Sequence, residues 1–298
     1  MSKISGITTA IGTPLTEDET LHEEGLAIQL SDQANHGISG VLVAGSMGAM
    51  QLLTDETYKQ LIKTSVDLWA GKGEFLVGAG DAGFARSRDR ILFLNDYKID
   101  GVAVLAPYFW NFGQKELIDY YSQLADISKA PLYLYDLPQV TGTKIEMDTF
   151  LKLSEHPNIN GAKVSGDFDF SRQLIDTVSD GFRVIVAQPN ISDMLLQHGV
   201  KEQLEGVWAI TPGWIAGLVQ AAEKGDWDAA AQYQLKITAL RNLILKYDFA
   251  VFTNMMNARG IPGYFTPRPF ARLTEDQNKE LLSKSIMQQL IAEDSVKI

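Results

Sequence analysis

The sequence predicts an α/β fold: eight parallel strands alternating with helices and closed into a (β/α)8, or TIM, barrel, with a C-terminal helical appendage. Three observations predict it. Eight short apolar runs recur at intervals of 22 to 35 residues. The stretches between them carry apolar residues at helical spacing. After the eighth run the alternation stops, and residues from about 226 onward read as helix and turn.

The eight runs are Ile7–Thr13, Gly40–Gly45, Phe75–Gly80, Gly101–Pro107, Pro131–Asp136, Asn160–Ser165, Arg183–Gln188 and Glu205–Ile210. Each is built almost wholly of β-branched, small or apolar residues, the composition of a parallel strand buried on both faces. Between them, Leu61, Ile62, Val66 and Trp69 mark one helical face, and Leu117, Ile118, Tyr121 and Leu124 another. Thr54 before Thr57, and Asp81 before Gly83, read as helix starts. A doubly wound sheet is the alternative, but Gly78-Ala79-Gly80 lacks the third glycine of a dinucleotide fingerprint.

The barrel is predicted to occupy residues 1–225, and residues 226–298 a helical extension packed on it. Ala229–Tyr247 and Glu275–Ala292 are amphipathic, and Gly260–Gly263 and Pro267-Arg268-Pro269 mark turns between them. No further repeat and no low-complexity segment interrupts this pattern.

Composition narrows the function. The net charge of −11 argues against nucleic acid or an anionic membrane as a partner. It also means that an anionic substrate needs a positive group built in locally. With no cysteine, disulfides, iron–sulfur clusters and thiol nucleophiles are excluded. The opening MSKISGITTAIGTP lacks a signal-peptide core, and no 18-residue apolar run is present, so a cytoplasmic protein is expected.

In such a barrel, chemistry sits at the C-terminal ends of the strands. The predicted ends carry Ser46, Asp81, Tyr135, Asp136, Lys163, Ser165 and Thr211. Lys163 is the unusual one, because it falls inside a run that reads as a buried strand, where lysine is rare unless paired. One reading is an ion pair with Asp136 or Glu205. The functional reading is that burial disfavours the ammonium form and leaves an amine able to attack a carbonyl. The resulting protonated imine withdraws electrons and stabilises a carbanion on the neighbouring carbon, as an aldol cleavage or a dehydration requires.

Tyr135 ends the neighbouring run and suits proton transfer; Tyr133, which alternates with it, reads as core. Gly45-Ser46-Met47-Gly48 follows the second run, and small residues there let backbone N–H groups close on a carboxylate. The four histidines stand away from strand ends and from ligand spacing, so no metal is expected; an all-carboxylate Mg²⁺ site on Asp81 and Asp136 is the alternative.

Taken together, these residues resemble the dihydrodipicolinate synthase/N-acetylneuraminate lyase family of class I aldolases and dehydratases. The resemblance runs from about Gly6 to Pro212. It is carried by Gly12-Thr13-Pro14, Gly45-Ser46-Met47-Gly48-Ala49, Pro107-Tyr108, Tyr135-Asp136-Leu137-Pro138 with Thr141-Gly142, Gly161-Ala162-Lys163, and Gly206-Val207-Trp208 with Thr211. It implies Lys163 as the Schiff-base lysine, Tyr135 as the proton-transfer tyrosine, and Ser46 with the loop around Met47 and Gly48 as the anchor of a 2-oxo acid carboxylate. It further implies pyruvate as the usual carbonyl substrate, a homotetramer, and no metal or other cofactor.

The departures bear on substrate. Met47 stands where the family usually has a second hydroxyl, Ala49 where it has a glutamate, and Gln188 where glycine is common. The synthase's arginine and its dimer-crossing tyrosine are here Val140 and Phe109. Valine cannot replace a charge-assisted contact of about 1.5–3 kcal/mol, so a synthase-type condensation is demoted. Met47, Tyr108, Phe109, Trp110, Val140, Gln188 and Trp208 are left as expected substrate-side residues. The expected function is a class I lyase that cleaves a 2-oxo acid of the 2-keto-3-deoxy sugar acid type to pyruvate and an aldehyde. Lys163, Tyr135 and Ser46 would be catalytic. A dehydratase using the same imine, or a barrel that only binds a 2-oxo acid, are the alternatives.

Overall fold

The apolar runs become strands because backbone pairing buries them on both faces. The computed structural model describes residues 4–296; Met1–Lys3 of the opening stretch and the last two residues of the predicted extension lie outside the described residues. Eight strands follow one another in chain order around a closed barrel: β1 (Ile7–Ala10), β2 (Gly40–Val43), β3 (Glu74–Gly78), β4 (Gly101–Leu105), β5 (Leu132–Asp136), β6 (Ile159–Ser165), β7 (Arg183–Ala187) and β8 (Gln203–Glu205). The pairs β1–β2 and β3 through β8 are parallel. Between the strands lie α1 (Glu23–Asn35), α2 (Asp55–Trp69), α3 (Phe84–Leu94), α4 (Gln114–Ile127), α5 (Pro138–Thr141), α6 (Met147–Ser154), α7 (Phe168–Thr177) and α8 (Ser192–Gln197). After β8 come α9 (Pro212–Glu223), α10 (Trp227–Tyr247), α11 (Val251–Ala258), α12 (Glu275–Ser283) and α13 (Ser285–Asp294).

Local signals explain individual elements. The Thr54 hydroxyl caps α2 by accepting from the Thr57 amide at 3.1 Å, and Asp55 and Glu56 complement the helix dipole. The eighth strand departs from its predicted place. It is Gln203–Glu205, and Val207–Ala209 is a 3-10 turn. Val207, Trp208 and Ala209 are all buried, and a short apolar run does not by itself distinguish a strand from a buried turn. The predicted helix over Glu275–Ala292 is two helices, because Lys284 is extended (ψ 138°). Among the described residues no helix is long and apolar enough to cross a membrane.

The chain forms two compact units. The first comprises Met1–Gly73, Pro189–Lys201 and Glu205–Ile298; the second comprises Glu74–Gln188 and Glu202–Leu204. In the first, Ile7 of β1 shares one core with Trp214, Ile237, Phe252 and Phe265. Helices α9 and α10 pack on each other there, so the sequence boundary at 225/226 falls inside this unit. In the second, β3–β7 are buried behind α3–α7.

The first unit also buries charge. Arg259, 0% exposed, donates to Asp32 Oδ2 at 2.8 Å and to the carbonyl of Asp294 at 2.7 Å. His36 faces both acids, with Nδ1 3.3 Å from Asp32 and Nε2 3.7 Å from Asp294. Burial lowers the basicity of the imidazole, but hydrogen bonds to Asp32 and the charges of Asp32 and Asp294 outweigh it, and its pKa stands above the ordinary 6.5. The folded chain therefore holds this proton more tightly than the unfolded chain. Its stabilising contribution is full below about pH 6.5 and is lost as the pH rises through the higher folded value. Comparing urea midpoints of the protein and His36→Gln between pH 6 and 9 checks this. The gap between the two should narrow as pH rises; a gap that does not change with pH refutes it.

Candidate active site

Two layers of inward side chains place the central lysine. Residues two apart on a strand share a face, so Tyr133 and Tyr135 both point the same way from β5. Tyr133 lies between Gly101 and Gly161: a Cβ on either glycine would come within 2.5 Å or 2.9 Å of its ring. Those glycines give the lower ring its space. One layer up, Tyr135 is in register with Lys163 on β6, which in turn is in register with Ile185 on β7.

Lys163 is 6% exposed and Tyr135 2%. The lysine Nζ donates to the Tyr135 hydroxyl at 2.7 Å and to Ser165 Oγ at 3.4 Å, and lies 4.0 Å from the centroid of the Tyr135 ring. Among the described residues these two hydroxyls are its hydrogen-bond partners, and no carboxylate pairs with it. The alternative of an ion pair with Asp136 is not realised, because Asp136 is occupied elsewhere. Its carboxylate accepts from Lys144 Nζ and from the Ile145 amide. Burial raises the Asp136 pKa, while Lys144 and the amide pull the other way. Lys144 also sits 3.7 Å over the Phe170 ring. An amine held by hydroxyls alone keeps its nitrogen available for a carbonyl; an amine in a salt bridge does not.

The loop after β2, in the first unit, is tight. Ala44 and Ala49 both adopt positive φ, at 54° and 50°. The Ala49 amide donates to the Ser46 carbonyl, and the Thr13 hydroxyl donates to the Gly48 carbonyl at 2.7 Å. Among the described residues the amides of Met47 and Gly48 donate to no protein group. A 3-10 turn, Met50–Leu52, lies between this loop and α2. Ser46 is half-buried, and Met47 packs on Gly206, whose added Cβ would lie 2.8 Å from it.

The remaining expected residues are not brought into one wall. Trp208 is 0% exposed in the core of the first unit, and its indole N–H has no partner among the described residues. Phe109 (83% exposed, φ 81°), Trp110 and Val140 are surface residues of the second unit. Tyr108 is half-buried; burial and the charge of Asp81 raise its pKa against Arg90 and Arg86. Gln188 donates to the Gly166 carbonyl. Of the two carboxylates of the metal alternative, Asp81 is held by Arg86 and Arg90 and Asp136 by Lys144, a donor set already neutralised and ill-suited to a divalent cation. Arg86 and Arg90 stand four apart on α3, a spacing that could have disclosed their shared grip on Asp81. Gln139, on the short α5 and beside Gly166, carries no pattern that marks it in the sequence.

The model of the dihydrodipicolinate synthetase family matches residues 3–289. The 4-hydroxy-tetrahydrodipicolinate synthase of Methanothermobacter thermautotrophicus is 28% identical over 247 residues, covering 81% of this chain and 87% of that protein. The N-acetylneuraminate lyase of Proteus mirabilis superposes with a TM-score of 0.89 at 18% identity, covering 97% of this chain and 99% of that one. YagE, a prophage protein of E. coli K12 solved in complex with pyruvate, superposes at 0.87 and 24%, covering 96% and 98%.

Proposed function

This chain belongs to the dihydrodipicolinate synthetase family and is an enzyme, a lyase of the lysine Schiff-base type, and from that premise we propose that Lys163 forms its imine and that the substrate is a 2-keto-3-deoxy sugar acid. The observation that carries this reading is the buried Lys163 amine, 2.7 Å from the Tyr135 hydroxyl and free of any carboxylate among the described residues.

The chemistry runs as a retro-aldol reaction. Lys163 adds through Nζ to the C2 carbonyl, and water leaves to give the protonated imine. Tyr135 gives its proton to the departing water and, as phenolate, takes the proton of the C4 hydroxyl; the C3–C4 bond breaks, its electron pair moves to C3 as an enamine, the aldehyde departs, and the re-formed phenol supplies the proton that C3 takes next. C3 is then protonated, and water hydrolyses the imine to free pyruvate and the amine. Ser46 and the unengaged amides of Met47 and Gly48 are assigned the substrate carboxylate, a role their hydrogen-bonding capacity supports. The exposed Phe109 and Trp110, packed edge to face at 5.3 Å, are assigned to contacts between subunits of a homotetramer.

Two measurements test the reading. Pyruvate with borohydride should leave a stable mass adduct on the protein, and 2-keto-3-deoxygluconate should release pyruvate in a coupled assay. No adduct with pyruvate or any longer 2-oxo acid sinks it. A second reading is favoured by the names of the relatives: a synthase-type condensation of pyruvate with aspartate semialdehyde. Pyruvate consumption that requires that aldehyde selects it.

Tyr135→Phe removes only the hydroxyl. With a general acid–base group lost, kcat should fall by about 10²- to 10³-fold, while pyruvate still forms a trapped adduct, more slowly. A kcat within about threefold of the parent, far short of that loss, removes Tyr135 from the mechanism.

A further inference from the structure

Beyond the lysine, the ends of β5, β6 and β7 carry a second set of polar groups within the second unit. Gly166 follows Ser165 directly, and two carboxamides flank it. Gln188, at the end of β7, donates to the Gly166 carbonyl, and Gln139, on α5, places its Nε2 3.3 Å from where a Gly166 Cβ would stand. The Gln188 carbonyl oxygen and the whole Gln139 carboxamide have no hydrogen-bond partner among the described residues. Gln188 is half-buried and Gln139 exposed, and both meet the residue that follows Ser165 on the Lys163 strand.

The charges around this pair are anionic or spent. Asp167 and Asp169 open α7 immediately after Gly166. Lys144 is held by Asp136, and Arg172 by Asp176 at 2.9 Å. Lys163 apart, a second carboxylate on the substrate would find no unpaired cation among these described side chains and two acids beside it. A hydroxyl, both donor and acceptor, matches a carboxamide, which is also both.

Resting on the imine reading, we propose that Gln139 and Gln188 select the aldehyde half of the substrate, and that this half is neutral and hydroxylated, with no second carboxylate. The valine that stands before Thr141-Gly142 agrees with this, since Val140 beside Gln139 offers no charge.

The test pairs pyruvate with two aldehydes, glyceraldehyde and succinic semialdehyde, and follows condensation. The borohydride adduct formed with pyruvate measures the active fraction of each protein. The unaltered enzyme should favour glyceraldehyde in kcat/KM. Gln139→Ala with Gln188→Ala should reduce that preference by about tenfold, the loss of one or two neutral hydrogen bonds, and chiefly through KM for the aldehyde. Gln188→Lys, which supplies a cation, should turn the preference toward succinic semialdehyde. Failure to trap any pyruvate adduct sinks the imine and this inference with it. Normal trapping in the unaltered enzyme with a preference for succinic semialdehyde, or with a preference the variants leave unmoved, overturns this inference alone.

Discussion

Replacing Lys163 with alanine is expected to abolish the borohydride-trapped pyruvate adduct and to lower kcat/KM by at least about 10⁴-fold, roughly 5 kcal/mol of barrier. The effect is large because the nucleophile is lost and the remaining groups cannot substitute for it. Tyr135 and Ser165 are hydroxyls that solvate the amine; neither can form an imine. Another amine of the second unit, Lys144 in the loop between α5 and α6, is tied to Asp136 and lies over Phe170. Lys163→Arg should fail equally, since a guanidinium keeps its proton and does not attack a carbonyl. Stability should hardly fall, because no carboxylate pairs with the Lys163 amine among the described residues and its removal strands no charge. Intact-mass analysis after pyruvate and borohydride decides the matter: an adduct of undiminished yield in Lys163→Ala would place the imine on another lysine.

The fold and the reactive pair were legible in the sequence for one reason, and the rest was hidden for another. A buried strand leaves a run of apolar letters, and a lysine inside such a run is conspicuous, as Lys163 is within Ile159–Ser165. The alternation of Tyr133 and Tyr135 is a statement about one strand, and it survives folding unchanged. Where two distant segments meet, the letters are silent. Asp136 is, with Glu205, one of two candidate ion-pair partners for Lys163 by sequence, yet its carboxylate turns to Lys144 and the Ile145 amide. Trp208 reads as a substrate wall because it lies in the eighth apolar run, but that part of the run is a 3-10 turn and the indole is buried in the core. Val140, Phe109 and Trp110 are apolar by letter and exposed by position, and only the backbone trace distinguishes a pocket wall from a surface. The meeting of Gln139 and Gln188 at one glycine joins residues 49 apart and leaves no periodic trace.

The same limit hid the charge cluster of the first unit, and that cluster supports the other large effect. Arg259→Ala is expected to cost about 3–5 kcal/mol, the range for breaking a buried ion pair by removing one partner. Arg259 is fully buried and reaches Asp32 from α1, Asp294 from the end of α13 and, at 3.5 Å, the Ala209 carbonyl. Asp294 also accepts from the amides of Gly213 and Trp214 at the start of α9. Burial already raises the Asp294 pKa against the opposing charges of Arg259 and His36. Without the guanidinium, Asp32 and Asp294 face each other with only His36 between them, and the two acids lose their principal counter-charge. Denaturant unfolding of Arg259→Ala, Asp294→Ala and the double variant measures this. The two single losses should exceed the double by more than about 1 kcal/mol, since removing both partners leaves less charge stranded than removing one. Strict additivity would mean that Arg259 holds α13 through its backbone carbonyl bond and its packing, and that the carboxylate of Asp294 acts on α9 alone.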